Sequence, residues 1–313
     1  MTAKTILGFL LTAAMFSAAA ADKQIVLIAG TPSHGPLEHE HNALVFLLDK
    51  WLKGYPGVKT TAFYIGWPAD TSVVDKADAI FVFSSGEGGH VVFNQQRSPG
   101  AVDALKRAAA RGAGIMMYHY ATEPPADRGR AEMLDWVGGY FEINYSVNPV
   151  WEANFASLPK HPITRGVKPF KINDEWYYNI RFAEKMKGVT SILRTVPPPE
   201  SLSRPDGGHS GNPDVRSKVG QPQTMVWAYQ RANGGRGVGW TGGHYHMNLL
   251  DDNFRKLVVN SVLWIAKVNV PAKGFENKTT REELIEKVDP KRPARGGGAP
   301  PAPSAPPAPR GNN

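Results

Sequence analysis

The feature that most constrains the fold is a regular alternation of short apolar segments with helix-like segments in the first half of the chain. The apolar segments are rich in residues that favour strands, and they span residues 25–30, 60–65, 79–85 and 114–121. Between them, residues 43–52 repeat large apolar side chains at helical spacing, and residues 100–111 form an alanine-rich segment. Strands separated by helices predict an α/β fold with a mostly parallel sheet and helices on both faces.

The second half of the chain is less regular. Residues 140–220 are crowded with proline, glycine and aromatic side chains, which predicts long ordered loops over one edge of the sheet. Residues 224–230 and 236–243 read as two strands joined by a short turn, ANGG. Residues 251–268 then predict a helix capped by Asp251 or Asp252, and a final short helix opens at Thr280.

Both ends of the chain differ from this body. The first 21 residues have the three parts of a secretory signal, with cleavage expected near Ala20 or Ala21, so we expect an exported protein, periplasmic or extracellular. No later apolar run is long enough for a membrane span. The body is expected over residues 22–275, followed over 276–313 by the short helix and a disordered tail rich in proline, glycine and alanine.

Composition excludes several kinds of site. The chain has no cysteine, which rules out thiolate metal sites, thiol nucleophiles and redox dithiols. Of the net charge of +8, five positive residues lie in the signal and the tail, which leaves +3 on the body and no concentrated basic face for nucleic acid. No phosphate loop, dinucleotide fingerprint or G-x-S-x-G elbow is present, so no nucleotide cofactor is expected.

Several histidines follow the ends of predicted strands. His34 follows the first strand, His119 ends the fourth, and His244 and His246 follow the last. Open α/β sheets bind ligands beyond the carboxyl ends of their strands, so these imidazoles are expected to share one rim. Residues spaced by two on a strand project to one face, so His244 and His246 could hold one metal ion. A turn role for His34 and a core role for His119 remain the alternatives.

Other polar residues carry weaker signals. Asp174 and Glu175 lie among aromatics in INDEWYYN, where a carboxylate could have a raised pKa and act as acid or base, or form a structural ion pair with Arg181. His41, with Glu40 beside it at a helix start, is interpreted as a solvated residue. His161 and His209 are interpreted as loop residues that make local hydrogen bonds.

Four stretches together resemble the ThuA-like, or trehalose utilisation, family, and more closely its secreted bacterial branch. They are AGTPSHGPLEHEHNA, GGYFEINYSVNPVW, KHPITRGVKPFKINDEWYYN and WAYQRANGGRGVGWTGGHYHMN followed by VLWIA. The resemblance covers about residues 24 to 272. It implies a flavodoxin-like fold related to class I glutamine amidotransferases. Those relatives use a cysteine where this chain has His119, so amidotransferase chemistry is not carried over.

The resemblance also implies site residues and a class of substrate. The family's polar positions that match here are His34, Glu38, His39, His119, Asp174, Glu175, His244 and His246. The family is linked to disaccharide catabolism and often occurs alongside sugar dehydrogenases that make 3-keto-glycosides, which implies a small-molecule carbohydrate as the partner.

The resulting hypothesis is an exported enzyme that transfers a proton on a glycoside or 3-keto-glycoside, as an isomerase, epimerase or lyase. A divalent metal, zinc or manganese, would be held by some of His34, His39, His119, His244 and His246. Glu175 or Glu38 would move the proton, with Asp174 and His119 as further catalytic candidates. Trp151, Trp176 and Trp240 could stack on sugar rings or belong to the core. The alternatives are a non-catalytic carbohydrate-binding protein and a glycoside hydrolase.

Overall fold

A computed structural model describes residues 21–291, which form eleven strands and seven α-helices. The strands are β1 (Lys23–Ala29), β2 (Val58–Phe63), β3 (Ala79–Phe83), β4 (Gly114–Tyr118), β5 (Gly139–Tyr140), β6 (Val150–Phe155), β7 (Phe170–Glu175), β8 (Arg181–Phe182), β9 (Val189–Thr195), β10 (Gln223–Gln230) and β11 (Arg236–Trp240). The helices are α1 (His41–Leu52), α2 (Ser72–Asp75), α3 (Ala101–Ala110), α4 (Arg130–Val137), α5 (Pro213–Arg216), α6 (Asp252–Ile265) and α7 (Arg281–Leu284).

Seven strands form the central sheet in the order β2-β1-β3-β4-β11-β10-β9. The first five strands of that order run parallel, whereas β10 is antiparallel to both of its neighbours. The order of the first four strands is that of flavodoxin-like sheets, which form their ligand crevice where the direction of winding changes, between β1 and β3. The predicted fold class, a mostly parallel α/β sheet covered by helices, is confirmed.

The two faces of the sheet bury separate hydrophobic cores. Alternate residues of β1 point to opposite faces, with Ile25 and Leu27 in one core and Val26 and Ile28 in the other. Helices α1 and α6 cover the first core, and α3 and α4 cover the second. Because both faces are covered, β3 and β4 are buried along their whole length, whereas the edge strand β2 is partly exposed.

The region predicted as long loops contains five strands. β6 and β7 form an antiparallel hairpin in which Trp151 lies opposite Asp174, β5 pairs with β8, and β9 forms an edge of the central sheet. The proline and aromatic content hid these strands, whose apolar residues face the core at every second position, as in the pattern of β6.

The chain after β10 differs from the prediction in one respect that matters for the site. The last strand was expected to continue through residue 243, but β11 ends at Trp240, and a short 3₁₀-helix begins at His246. The capping prediction is confirmed for Asp251, whose carboxylate accepts the backbone N–H groups of Asn253 and Phe254 at the start of α6.

Within residues 21–291, no helix is long and apolar enough to cross a membrane. The predicted signal and most of the predicted tail lie outside the described residues. Residues 281–291 add α7 and a segment that returns to the start of α1.

Candidate functional site

The loop after β1 carries the first group of candidate residues in a strained backbone conformation. His34, Leu37 and His39 all have positive φ angles, of 61°, 63° and 44°. The loop is held by two of its own carboxylates: Glu38 accepts the N–H of Gly35 at 3.0 Å, and Glu40 accepts the N–H of Leu37 at 2.8 Å. Left-handed backbone is unfavourable for residues with a side chain and is retained mainly at functional sites.

His119 occupies a similar strained position directly after β4. Its φ angle is 54°, and its Nδ1 atom lies 2.7 Å from the carbonyl oxygen of Thr241, which follows β11. A carbonyl oxygen can only accept, so Nδ1 carries the proton and Nε2 presents a lone pair. The neighbouring strand thereby fixes both the tautomer and the direction of the ring, as outer-shell partners do for metal-binding histidines.

The hairpin of β6 and β7 supplies the carboxylates. Asp174 is fully buried, and its oxygens accept the backbone N–H groups of Gly243 at 2.7 Å and His244 at 3.0 Å. The neighbouring Glu175 accepts the side-chain amide of Asn148 through Oε1 at 3.0 Å, which leaves its Oε2 atom for the histidines. Asp174 therefore positions the loop that bears His244, and Glu175 faces the cluster.

Glycine allows that loop to pass close to the core. A Cβ atom at Gly243, where φ is 104°, would lie 2.4 Å from the ring of Tyr118, and one at Gly242 would lie 2.4 Å from the ring of Trp176. These contacts are too short for any side chain, so both glycines are required for His244 to approach the end of β4.

Four residues from four separate parts of the chain converge at this end of the sheet: His39, His119, Glu175 and His244. His39 Nε2 lies 3.0 Å from His119 Nε2 and 2.9 Å from His244 Nδ1. Glu175 Oε2 closes the group at 3.5 Å from His119 Nε2 and 3.3 Å from His244 Nδ1. All four ligand atoms lie within 4.8 Å of one another.

These separations match the spacing of atoms bound to one metal ion. Zinc binds imidazole nitrogen and carboxylate oxygen at about 2.0–2.2 Å, so two ligands at a right angle lie about 3 Å apart and two at the tetrahedral angle about 3.4 Å apart. The four contacts of the cluster, from 2.9 to 3.5 Å, lie close to that span. Three imidazoles with one carboxylate suit zinc, manganese or another first-row divalent ion.

The protons on the rings support the same interpretation. His119 Nε2 carries no proton, so His39 can donate its Nε2–H toward His119. The same Nε2–H group of His39 lies 2.9 Å from His244 Nδ1, so a proton on His244 Nδ1 would place two donors against each other. If His244 Nδ1 is instead unprotonated, the Glu175 carboxylate faces two bare nitrogens. A cation shared among the four atoms turns every one of these contacts into an attraction.

Burial keeps two of the three imidazoles neutral. Burial lowers the pKa of His39 and of His119 well below the ordinary value of histidine, and neighbouring imidazoles lower both further. Burial alone would also lower the pKa of His244, but its hydrogen bond to Glu175 and the charge of that carboxylate outweigh it, so the pKa is raised. His39 and His119 therefore offer lone pairs at neutral pH, and His244 binds a proton most readily.

His34 and Glu38 lie at the outer edge of the cluster. His34 reaches solvent, but one face of its ring stacks on His39 with 3.5 Å between ring centroids. Partial burial of the ring lowers its pKa, and His244 lowers it further. Glu38 lies 3.6 Å from His244 Nε2, and its side chain is 27% exposed. These two predicted residues are therefore next to the cluster and reach solvent, whereas the four converging residues are mostly enclosed.

The structure does not bring His246 into the cluster. Its ring is buried, and its Nε2 atom lies 2.8 Å from the carbonyl oxygen of Leu284. The predicted pairing with His244 is wrong because β11 ends before both residues, so the two side chains do not share a strand face.

The three candidate tryptophans belong to the core. Trp176 and Trp240 are fully buried, and Trp151 is 6% exposed with its indole N–H donated to the carbonyl of Trp176. No ring face of these residues is open to a sugar, so the stacking role proposed for them is wrong. Asp174 is likewise fully buried, and its carboxylate accepts hydrogen bonds from backbone N–H groups. Burial raises its pKa, although its four hydrogen bonds favour the charged form.

A second polar group lies next to the cluster, and its pairing was not predicted from the sequence, although His209 was interpreted as a residue that makes a hydrogen bond. His209 Nε2 lies 2.8 Å from Oε1 of the buried Glu123, and Glu87 lies within 4.8 Å of both. Burial raises the pKa of Glu123, and the hydrogen bond to Glu123 raises the pKa of His209. Tyr120 joins the two groups, since its hydroxyl donates to Glu87 at 3.2 Å and its ring lies 5.8 Å from that of His39.

Comparison with known proteins agrees with the fold. Residues 69–265 match the model of the ThuA family, described as trehalose utilisation. A crystal structure of a ThuA-like protein from Bacteroides uniformis is similar in fold, with a TM-score of 0.53 and 16% sequence identity over 82% of this chain and 95% of that one. No curated protein matches this chain. The family model covers well over half of the sequence, and the chain belongs to the ThuA family.

Proposed function

We propose that this protein is an exported, metal-dependent carbohydrate enzyme that transfers a proton on a glycoside or 3-keto-glycoside, as an isomerase, epimerase or lyase. The observation that carries the proposal is the convergence of His39, His119, His244 and Glu175 at the carboxyl end of the parallel sheet. The trehalose-utilisation link of the family supports a sugar substrate, and the secretory pattern of the first 21 residues supports export.

The four clustered residues would hold the metal. A divalent cation there would supply positive charge for a carbonyl or hydroxyl oxygen of the substrate. The chain's own contribution is to keep His39 and His119 neutral by burial and to aim the Glu175 carboxylate through Asn148. In this arrangement Glu175 would bind the metal, and another residue would move the proton.

Glu38 is the better-placed proton acceptor. Its carboxylate is partly exposed at the edge of the cluster, 3.6 Å from His244 Nε2, and is oriented by the N–H of Gly35. In a 3-keto-sugar the carbonyl acidifies the adjacent C–H. Glu38 would take that proton while the electron pair moves toward the carbonyl oxygen. Delivery of a proton to the opposite face of the same carbon gives epimerisation. Delivery to the former carbonyl carbon, with loss of the proton from the adjacent hydroxyl, gives isomerisation, and departure of a leaving group β to the carbonyl with its bonding electron pair gives elimination.

We also infer that the chain belongs to the secreted branch of its family and shares the ancestry of class I glutamine amidotransferases. The secretory pattern of the first 21 residues supports the branch. The shared ancestry is supported by the position of His119, which follows β4 with a φ angle of 54°, as a nucleophile does at a strand-to-helix elbow. A histidine there would direct its one free lone pair, on Nε2, at a cation in place of a thiol, and the chain contains no cysteine.

The test is turnover with a panel of substrates. The purified protein, loaded with zinc or with manganese, is incubated with glycosides and their 3-keto forms, and the products are followed by NMR in D₂O. The proposal predicts exchange of the proton next to the carbonyl, with rearranged or eliminated products. Saturable binding without exchange or products would support the non-catalytic alternative, and release of free sugar from unoxidised glycosides would support a glycoside hydrolase.

A further inference from the structure

The C-terminal arm, residues 280–291, packs against the loop that carries Glu38 and His39. It lies outside the segment that matches the family. Along the arm, the carbonyl of Leu284 lies 2.8 Å from His246 Nε2, and the carboxylate of Asp289 accepts the side-chain amide of Asn42 at 2.9 Å. The arm therefore runs from the segment after His244 to the start of α1, across the back of the candidate metal site.

The arm ends in a buried lysine. The ammonium of Lys291 lies 3.1 Å from Oε1 of Glu40, and the two side chains are 4% and 0% exposed. The same ammonium donates to the backbone carbonyls of Glu38 and of His39, the latter at 3.2 Å. An ammonium has three N–H donors, and these three acceptors use all of them.

Glu40 connects this lysine with the strained part of the loop. Its Oε1 atom accepts the N–H of Leu37 at 2.8 Å, and its Oε2 atom accepts the N–H of Asp289 at 3.0 Å. Leu37 and His39 are the left-handed residues on either side of Glu38. Such a backbone persists only where its surroundings hold it. Here the arm contacts the carbonyls of Glu38 and His39 directly and reaches Leu37 through the Glu40 carboxylate.

We propose that Lys291 is a positioning residue of the candidate metal site, through which the C-terminal arm holds His39 and Glu38 in place. The inference rests on the proposed function, because it requires that His39 binds the metal. Lys291 does not touch the cluster atoms; it fixes the carbonyls of residues 38 and 39, and the direction of the His39 ring follows from that backbone. A displacement of about 1 Å at such a site lowers function severely.

The first experiment measures zinc affinity by calorimetry on the full chain, as wild type and as Lys291→Met. We expect the substitution to weaken zinc binding at least about tenfold, as loss of an outer-shell partner does. Lys287→Met is the matched control, because it removes an exposed lysine of the same arm whose ammonium lies 5.8 Å from the ring of Phe46. The control is expected to bind zinc like the wild type.

A second variant keeps the inference testable if Lys291→Met folds poorly. Removing one partner of a buried ion pair leaves the other charge unpaired, whereas Glu40→Gln with Lys291→Met removes both charges. The double variant still lacks donors for the carbonyls of residues 38 and 39, so its zinc affinity should remain reduced. Wild-type affinity in the folded double variant would overturn the inference.

Hydrogen exchange without added metal separates this inference from the proposed function. Amides of residues 35–41 should exchange faster in Lys291→Met than in the wild type, while those of α3 should not change. Unaltered exchange in residues 35–41 would overturn the positioning role whether or not zinc binds. If the wild type binds no divalent metal, the proposed function fails, and the exchange result alone decides whether Lys291 holds the loop.

Discussion

The Nε2 atom of His39 lies 2.9 Å from the Nδ1 atom of His244, although 205 positions separate the two residues in the chain. His39 reaches this position from the loop after β1, and His244 reaches it from the loop after β11, which pairs with β4. The contact is possible because parallel strands end at one edge of the sheet. Its consequence is a compact group of nitrogen and oxygen atoms that no single segment could supply.

The two histidines near β11 should differ sharply in their effect on metal binding. His244→Ala removes a nitrogen from the cluster and is expected to weaken zinc affinity by about 100-fold or more. His246→Gln should leave zinc affinity within about threefold, since His246 bonds to Leu284 away from the cluster. Calorimetric titration of both variants measures this, and a larger loss in His246→Gln would refute the assignment.

The two glutamates of the site should separate binding from turnover. Glu38→Gln is expected to retain zinc and to lower kcat by about 100-fold or more, because it removes the proposed proton acceptor. Glu175→Gln should lose zinc, because its Oε2 atom lies within the cluster. Zinc content and kcat on a substrate found with the panel are measured on the same preparations. Full activity in Glu38→Gln would exclude its role as the base.

Asp174 should act on stability and metal binding together. In Asp174→Asn one oxygen is replaced by an N–H₂ group that faces backbone donors, so we expect the free energy of unfolding to fall by about 1–3 kcal/mol. The loop bearing His244 loses its anchor, so zinc affinity should fall about tenfold. Asp103→Asn, on the exposed side of α3, is the control; it should leave zinc affinity unchanged and alter the free energy of unfolding by less than about 1 kcal/mol. Urea denaturation and zinc titration check both effects.

Buried neutral histidines should make the protein sensitive to acid. Burial lowers the pKa of His90 and of His246 to about 4. His41, interpreted from the sequence as a solvated residue, is fully buried, so that interpretation is wrong, and burial lowers its pKa to about 3. In the unfolded chain each titrates near 6.5, so between about pH 6.5 and 4 the unfolded state binds more protons and stability falls as pH falls. The three together give a slope that approaches about 4 kcal/mol per pH unit near pH 5 and is about half as steep at pH 6.5.

His90 offers a way to test this slope outside the cluster. Its Nε2 atom lies 3.0 Å from the carbonyl of Ala121, and its Nδ1 atom accepts the N–H of Val92. His90→Gln should reduce the number of protons taken up on unfolding by about half a proton at pH 6.5 and by nearly one proton near pH 5, measured by urea denaturation between pH 7.5 and 4.5. An unchanged slope would show that His90 does not titrate on unfolding.

The sequence was most informative where local pattern and tertiary structure agree. The β1, β3 and β4 segments are short apolar runs, and the residues that follow them, such as His34 and His119, do lie at one end of the sheet. Strand ends can be located from alternation alone, because parallel topology brings them to the same edge. This explains why the fold and the approximate position of the site could be predicted.

Contacts between distant segments could not be predicted in the same way. The pairing of His209 with Glu123 spans 86 positions and leaves no spacing signal. His246 was placed beside His244 because the glycines before them looked like part of a strand, whereas Gly243 turns the chain with a φ angle of 104°. The role of Lys291 was equally invisible, because a single lysine before a proline-rich tail resembles a solvated residue.

The central claim, that one metal ion binds where these four residues meet, is tested most directly by anomalous diffraction from crystals grown with zinc. Data collected on both sides of the zinc absorption edge should show one strong peak about 2.0–2.2 Å from His39 Nε2, His119 Nε2, His244 Nδ1 and Glu175 Oε2. No peak there, at a zinc concentration well above that of the protein, or a peak only at other residues, would contradict the account.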